Sequence, residues 1–206
     1  ETASRFRFNR AIKRAHEGDV AGALSDGVLA CVISPVAANH WRFLATLKTM
    51  REDLEGATVA LRRAMRLEPG DIKQELTLGE LLRRSGRPGE ALALVRDIAE
   101  RVPDDERAWI NLAVMCQHGW RDFDAARAFR RASCLRPDRL DLVYRDNLLL
   151  PAVPRSVTDI ADWRWRFRSG INRLRRLPPL LDDPAERLGP PSFYLAYHDE
   201  DDRPLM

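Results

Sequence analysis

Cysteine and histidine are the residue types in this chain that most often bind metals or act in catalysis, and their spacing favours neither role. The cysteines are Cys31, Cys116 and Cys134, an odd number without a C-x-x-C pair, so no disulfide framework and no zinc knuckle is expected. The histidines are scattered singly, at positions 16, 40, 118 and 198. We expect buried, reduced thiols and histidines at the surface.

Other catalytic arrangements are also missing from the sequence. There is no Ser-His-Asp or Cys-His arrangement in a plausible loop and no Gly-rich phosphate-binding loop. The chain as it stands is therefore predicted not to be an enzyme, with no catalytic residue, no cofactor and no metal site. Binding to another macromolecule is the function class that remains.

Composition argues against nucleic acid or a membrane as that partner. The 34 Lys and Arg are interleaved with 31 Asp and Glu, for a net charge of +3, whereas a nucleic-acid-binding domain clusters its cations on one face. No stretch approaches about 18 uninterrupted apolar residues, so no transmembrane helix is expected. The N-terminus lacks a secretory signal pattern and a starting Met, which is typical of a piece of a longer protein. A cytoplasmic location is predicted.

Four prolines define a repeat that would position any binding residues. Pro35, Pro69, Pro103 and Pro137 are each 34 residues apart. This is the period of the tetratricopeptide repeat (TPR), whose second helix ends just before such a proline. With the proline at position 32, the repeats are 4–37, 38–71, 72–105 and 106–139. We predict two antiparallel helices in each, at about positions 2–14 and 18–30, stacked into an all-α TPR solenoid.

Small residues stand where the two helices of such a pair approach each other. Position 8 is Ala11, Ala45, Gly79 and Ala113, and position 20 is Ala23, Ala57, Ala91 and Ala125. Gly18, Gly86 and Gly119 fall at or beside the turn between the helices, where a positive φ is easy for glycine. Repeat one departs from the pattern with Arg7 and Arg10 at positions 4 and 7. These arginines either supply a polar capping face, or further repeats precede them in the native protein.

TPR ligands usually lie along the first helices of the repeats, which gives a set of candidate binding residues. The candidates are cations, amides, a hydroxyl and one aromatic ring, namely Asn9, Arg42, Phe43, Lys73, Thr77, Arg107 and Asn111. This mixture suits an extended peptide better than a small molecule, because amides can bond to a peptide backbone of any sequence. Only Lys73 matches the clamp by which some TPR domains hold a C-terminal carboxylate, so that binding mode is disfavoured. For each candidate the alternative is an ordinary solvated helix face.

The segment after the repeats is predicted to cap them and then to lead onward. Residues 140–181 contain a capping helix, broken by Pro151 and Pro154, and an amphipathic linker helix that starts with a capping box at Ser156 and Asp159. The linker helix has an apolar stripe, at Ile160, Trp163, Phe167, Ile171, Leu174 and Leu177, and an Arg-rich remainder that we expect to be solvated. An RNA-binding or membrane-binding helix is the alternative. Residues 182–206 read as a linker followed by a short strand at 193–197.

Two segments beyond the repeats resemble the bacterial SPINDLY-type proteins, which are relatives of the O-linked N-acetylglucosamine transferases. They are L-P-x-x-x-x-S-x-x-x-I-x-x-W-R-x-R-F from Leu150 to Phe167 and P-x-F-Y-L-A-Y-H-x-x-x-D-R-x-L from Pro191 to Leu205. The usual G-x-N-D-R tail is replaced by Asp199 to Arg203. The resemblance implies a module that recruits substrate or partner proteins to a glycosyltransferase domain in cis, with 193–197 as its first strand. A free-standing bacterial TPR adaptor is the alternative, and the sequence indicates no oligomeric state.

Substitutions at Ala57 and Ala125 test the repeat numbering. A leucine at either position overfills the contact between paired helices, and the free energy of unfolding is expected to fall by about 1–3 kcal/mol. Thermal and denaturant unfolding of Ala57→Leu and Ala125→Leu measure this loss. Unchanged stability in both variants would show that the numbering is wrong.

Overall fold

The computed structural model describes residues 2–151 and 153–176, and their regular secondary structure is entirely α-helical. The predicted all-α fold class is confirmed there, and the predicted strand at 193–197 lies outside the described residues. The described helices are α1 (Thr2–His16), α2 (Val20–Ile33), α3 (Ala38–Met50), α4 (Leu54–Leu67), α5 (Ile72–Arg84), α6 (Pro88–Arg101), α7 (Glu106–His118), α8 (Asp122–Leu135), α9 (Leu140–Leu148) and α10 (Val157–Leu174). The chain divides into two compact units, Glu1–Ile98 and Ala99–Met206.

The first eight helices form four pairs with the predicted period. The first helices α3, α5 and α7 span positions 1–13 of their repeats, one residue earlier than predicted at both ends. The second helices span positions 17–30, so they start one residue earlier than predicted and end at the predicted position. Each repeat proline stands two residues beyond the last residue of a second helix. Proline cannot continue the hydrogen-bond ladder and restricts the residue before it, so it ends the helix there. The predicted divisions at 139/140 and 181/182 stay predictions.

Small residues allow close contact within the pairs. All four alanines at position 20 are completely buried. At position 8 of the third pair, a Cβ atom added to Gly79 would lie 2.7 Å from Cγ2 of Val95, closer than a methyl group can approach. A side chain larger than alanine at these positions would therefore push the paired helices apart.

The turn between paired helices has the same backbone shape four times. The residue at position 15 has a positive φ in every pair, at Gly18, Glu52, Gly86 and Trp120. In each case the next N–H donates to the carbonyl of position 11 at 2.9 Å, the six-residue closure of a Schellman turn. Gly119 lies beside the turn as predicted, but it stands one position early with a φ of −93°, and the positive φ falls on Trp120. Hydrogen bonding therefore decides which residue is left-handed, even when that residue is a tryptophan.

Beyond the pairs, α9 packs on α8 and α10 packs on α9. The predicted start of α10 is confirmed, because Ser156 Oγ accepts from the N–H of Asp159 at 3.1 Å. The return bond goes from the N–H of Arg155 to Asp159 Oδ2, one residue before the N-cap. Trp163 and Phe167 of the apolar stripe are buried with Ala126 and Leu150. Helix α8 and the segment after α9 thus cover this part of the stripe.

The arginines of α10 correct the prediction of a fully solvated face. Arg164 is buried. Arg166 is half-buried, donates to the carbonyls of Asp146 and Leu149 and to Asp146 Oδ1, and lies 5.4 Å from the Trp163 ring centroid. The last carbonyls of a helix have no partner within it, so a guanidinium that packs there satisfies them.

Two other expectations from the sequence were also partly wrong. Cys31 and Cys116 are buried as predicted, and burial raises the pKa of Cys31 to about 11. Cys134 is exposed, because it lies on the outer side of α8. His16 and His118 are exposed as predicted, but His40 is buried.

Gly170 marks the closest approach of α10 to α9 and provides a test of this docking. A Cβ at Gly170 would lie 2.3 Å from the carbonyl oxygen of Asn147, which is backbone and cannot rotate away. Gly170→Ala is expected to lower the free energy of unfolding by about 1–3 kcal/mol despite the better helix propensity of alanine. The control is Gly119→Ala, because Gly119 has a negative φ and the atom nearest to a Cβ added there lies 3.5 Å away. Denaturant unfolding followed by tryptophan fluorescence measures both, and equal stability of the two variants would contradict the observed docking.

Candidate functional site

The candidate site lies on the exposed sides of the first helices of the unit Glu1–Ile98. We call this surface the first-helix face and define it by Phe8 and Asn9 of α1, Arg42, Phe43 and Thr46 of α3, and Lys73 and Thr77 of α5. Five of the seven predicted binding residues belong to it. The other two, Arg107 and Asn111, are on α7 in the other unit.

An aromatic contact joins the first two helices of this face. The rings of Phe8 and Phe43 meet edge to face, with centroids 5.5 Å apart, and the Phe8 ring lies 4.5 Å from the imidazole of His40. Both phenylalanines are only half-buried, so part of each ring is open. Together they form an aromatic shelf that an apolar side chain of a ligand can cover. Phe8 was not among the predicted candidates, although it occupies the same repeat position as Arg42.

His40 packs against the Phe8 ring of this shelf. The side chain of His40 is buried, and its Nδ1 lies 3.4 Å from Ser4 Oγ, which also lies 3.3 Å from the carbonyl oxygen of Ala30. Burial lowers the pKa of His40 below its ordinary value of 6.5. The imidazole is therefore neutral at neutral pH, and the Phe8 ring packs against an uncharged ring.

The polar candidates of the first-helix face differ in which of their charged or hydrogen-bonding groups remain available to a ligand. Arg42 is paired with Glu68 at 2.6 Å, so its charge is already compensated. The hydroxyls of Thr46 and Thr77 donate to the carbonyls of Arg42 and Lys73, at 3.2 and 2.8 Å. A hydroxyl that donates in this way keeps its lone pairs free to accept, which suits the N–H groups of a peptide. Lys73 and Asn9 have exposed side chains.

The candidates on α7 are more strongly engaged with their own chain. Arg107 contacts Asp105 through two nitrogens, at 2.6 and 3.0 Å, and the hydrogen bond from Arg107 holds the pKa of Asp105 below its ordinary value. Asn111 donates from its amide to the carbonyl of Arg107 at 2.8 Å, which leaves the amide oxygen as an acceptor. The binding roles of all seven candidates stay predictions.

An ionic cluster inside the first helix pair fixes the position of α1, and therefore of Phe8 and Asn9. Arg7, Arg10 and Arg14 of α1 all donate to the carboxylate of Asp26 on α2, at 3.0, 2.7 and 3.0 Å. Only 1% of the Asp26 side chain is exposed. Arg7 and Arg10 therefore bond to α2 while more than a third of each side chain stays exposed, and their capping role stays a prediction. Their hydrogen bonds, chiefly that from Arg10, lower the pKa of Asp26 to about 2.

Within residues 2–151 and 153–176, no group of three or more His, Cys, Asp or Glu side chains is arranged to hold a metal ion. Nor does this part of the chain contain a helix that is both long and apolar enough to span a membrane.

Sequence comparison identifies the repeat type over part of the chain. A family model described as tetratricopeptide repeat matches residues 73–115. The human PEX5-related protein is 26% identical over 96 residues, which are 47% of this chain. The match spans only 15% of the length of that curated relative.

Solved structures share the fold over most of the chain. A double mutant of MamA (RS-1 ArsTM) superposes with a TM-score of 0.66 and 13% identity, over 85% of this chain and 94% of that one. YrrB, a TPR protein with an unusual peptide-binding site, superposes with a TM-score of 0.59 and 16% identity, over 93% of this chain and 89% of that one. At these identities the likeness shows the fold alone. The described residues thus have the all-helical fold of these TPR structures, and residues 73–115 match the repeat itself.

The ionic cluster predicts how stability depends on pH. The folded pKa of Asp26, about 2, is below the ordinary value of 3.8, so the charged carboxylate favours the fold. This contribution is fully present above about pH 4 and is lost as the pH falls towards 2. Asp26→Asn is expected to lose about 1–3 kcal/mol at neutral pH, because three half-buried guanidinium groups lose their buried charged acceptor. The variant should also depend less on pH in this window.

Denaturant unfolding at a series of pH values measures both effects. The control is Asp162→Asn, at an exposed position on α10, which should follow the parent protein. If Asp26→Asn and the parent lose stability in parallel between about pH 4 and pH 2, the cluster does not stabilise the fold as described.

Proposed function

We propose that this chain is a protein-interaction module that binds an extended peptide segment along its first-helix face. The observation that carries the proposal is the half-open aromatic shelf of Phe8 and Phe43, bordered by the amide of Asn9 and the hydroxyl of Thr46. An apolar ligand side chain would cover the shelf, and the polar groups would bond to the ligand backbone. Such a ligand is recognised by one apolar anchor and an extended backbone rather than by a terminal carboxylate.

The charges around the candidate residues argue against a carboxylate clamp. Arg42 and Arg107 are held by Glu68 and Asp105, so neither presents an uncompensated guanidinium. Lys73 alone would be a weak anchor, because an exposed ion pair contributes little free energy.

The larger setting is also part of the proposal. The segment from Leu150 to Phe167 supports a link to an O-linked N-acetylglucosamine transferase-like domain in cis, to which the module would bring protein substrates in the cytoplasm. In this segment Trp163 and Phe167 are buried and Arg166 bonds to the end of α9, so the shared motif also holds α10 in place. A free-standing adaptor is the alternative. Rossmann-like alternation of strands and helices in the downstream reading frame would favour the transferase, and a stop codon would favour the adaptor.

Selection from a random peptide library displayed on phage tests the binding proposal. Synthetic copies of the selected peptides should bind with a dissociation constant that rises about tenfold in Phe43→Ala, which removes half of the shelf. Asn9→Ala should weaken binding less and leave the fold unchanged, since Asn9 is exposed. The control is Val59→Ala, at an exposed position on α4. The proposal fails if no peptide is enriched, or if the selected peptides bind Phe43→Ala and Asn9→Ala as tightly as the parent.

A further inference from the structure

The first helix pair has charged side chains where the second repeat has mostly apolar ones. The buried Asp26 and the half-buried Arg7, Arg10 and Arg14 occupy the positions of Ala60, Trp41, Leu44 and Lys48. The outer side of the pair is apolar where the other repeats are mostly charged. Position 25 is Val28 against Arg62, Arg96 and Arg130, position 26 is Leu29 against Arg63, Asp97 and Arg131, and position 29 is Val32 against Arg66, Glu100 and Cys134.

The apolar side chains on the outside of this pair are exposed. Among the described residues of the unit Glu1–Ile98, eight large apolar side chains are exposed, and six of these lie between Phe6 and Val36. Val32 is 69% exposed and Val36 is 74% exposed. Four of the six, Val28, Leu29, Val32 and Ile33, are neighbours on α2. An exposed apolar surface of this kind marks an interaction site.

The outer side of α2 has a row of four residues, which we call the α2 row: Ala21, Ser25, Val28 and Val32. Spacings of four, three and four residues place them on one side of the helix, and all four are exposed. The row is small at its N-terminal end and larger at its C-terminal end. It contains no charged residue, and α2 has no Lys or Arg at all.

These features make the α2 row complementary to itself. In an antiparallel pair of α2 helices, Ala21 of each copy faces Val32 of the other, and Ser25 faces Val28. Small side chains then oppose larger ones along the whole row, and each contact occurs twice, as a two-fold interface requires. The helix dipoles are also opposed favourably. The Arg-rich outer side of α4 would repel its own copy, whereas the uncharged α2 row does not.

We propose that the chain forms a homodimer in which two copies pair their α2 rows in antiparallel orientation. An anionic membrane is a poorer match, because the exposed side of α2 has no cation to meet lipid headgroups. A different protein partner is also a poorer match, because the row offers no charge by which to select it. A second copy matches the small-to-large gradient of the α2 row and, like the row, presents no charge.

Light scattering after size-exclusion chromatography tests the dimer over a broad dilution series. The parent protein should have twice the chain mass of 23.5 kDa at high concentration, and Val32→Arg should have the mass of one chain. The matched control is Val59→Arg, at a valine of α4 that is 64% exposed, which should leave the dimer intact. Circular dichroism verifies that both variants are folded. The proposal is overturned if the parent has the mass of one chain throughout, whether or not it sediments with phosphatidylserine vesicles. It is also overturned if Val32→Arg remains dimeric, or if Val59→Arg dissociates the dimer equally.

Cysteine cross-linking tests the antiparallel orientation in a Cys134→Ser background, which removes the exposed native thiol. Ala21 and Val32 are 11 residues apart, or about 16 Å along the helix. Two copies of Ala21→Cys, or two of Val32→Cys, would therefore lie too far apart in an antiparallel pair to form a disulfide. A mixture of the two variants should form one on mild oxidation. Disulfides between identical variants, or none in the mixture, would overturn the proposed pairing.

Discussion

The close approach of paired helices at small side chains is the constraint on which the rest of the structure depends. Ala57 and Ala91 are completely buried, and at Gly79 even a methyl group would collide with Val95. Helices held this close leave room for only a tight turn, which explains why Trp120 adopts the positive φ that glycine adopts in two other turns. Repetition of the same pair also sets the spacing between first helices, and this spacing lets the rings of Phe8 and Phe43 meet.

The first pair meets the same constraint with different chemistry. The Asp26 cluster places a buried carboxylate and three half-buried arginines where the second repeat has mostly apolar side chains. A buried charge held in this way stabilises a fold less than well-packed apolar side chains of similar volume. The outer side of the pair then has apolar residues that gain nothing while they face water. Both departures lower the stability expected of this helix pair on its own. They are explained if a second copy covers the outer side, because burial of Val28 and Val32 would add the apolar contacts that the inside of the pair lacks.

The period of four prolines and the small residues at positions 8 and 20 were enough to predict the helix pairs to within one residue at most of their ends. The errors concern where polar side chains point. Arg166 bonds to carbonyls that are free only because α9 ends beside it, and Arg7 and Arg10 bond to α2 because Asp26 lies within their reach. At the candidate site, equivalent repeat positions placed Asn9 and Phe43 on the first helices, but they did not predict the pairing of Arg42 with Glu68, a residue 26 positions away. Long-range partners of this kind depend on the assembled fold.

The two surfaces proposed for this chain are on different helices of the same pair, which allows both to be used at once. The α2 row lies on the second helix, and Phe8 and Asn9 lie on the first, joined through the Asp26 cluster. A dimer would therefore present two first-helix faces without covering either. A shelf of two phenylalanines and a few hydrogen bonds supports only weak binding of one peptide, but a partner with two such segments would bind the second at a high effective concentration. Dimerisation would thus favour partners that are dimeric or have a repeated sequence, and would select them by the spacing of their segments rather than by stronger contacts at either face.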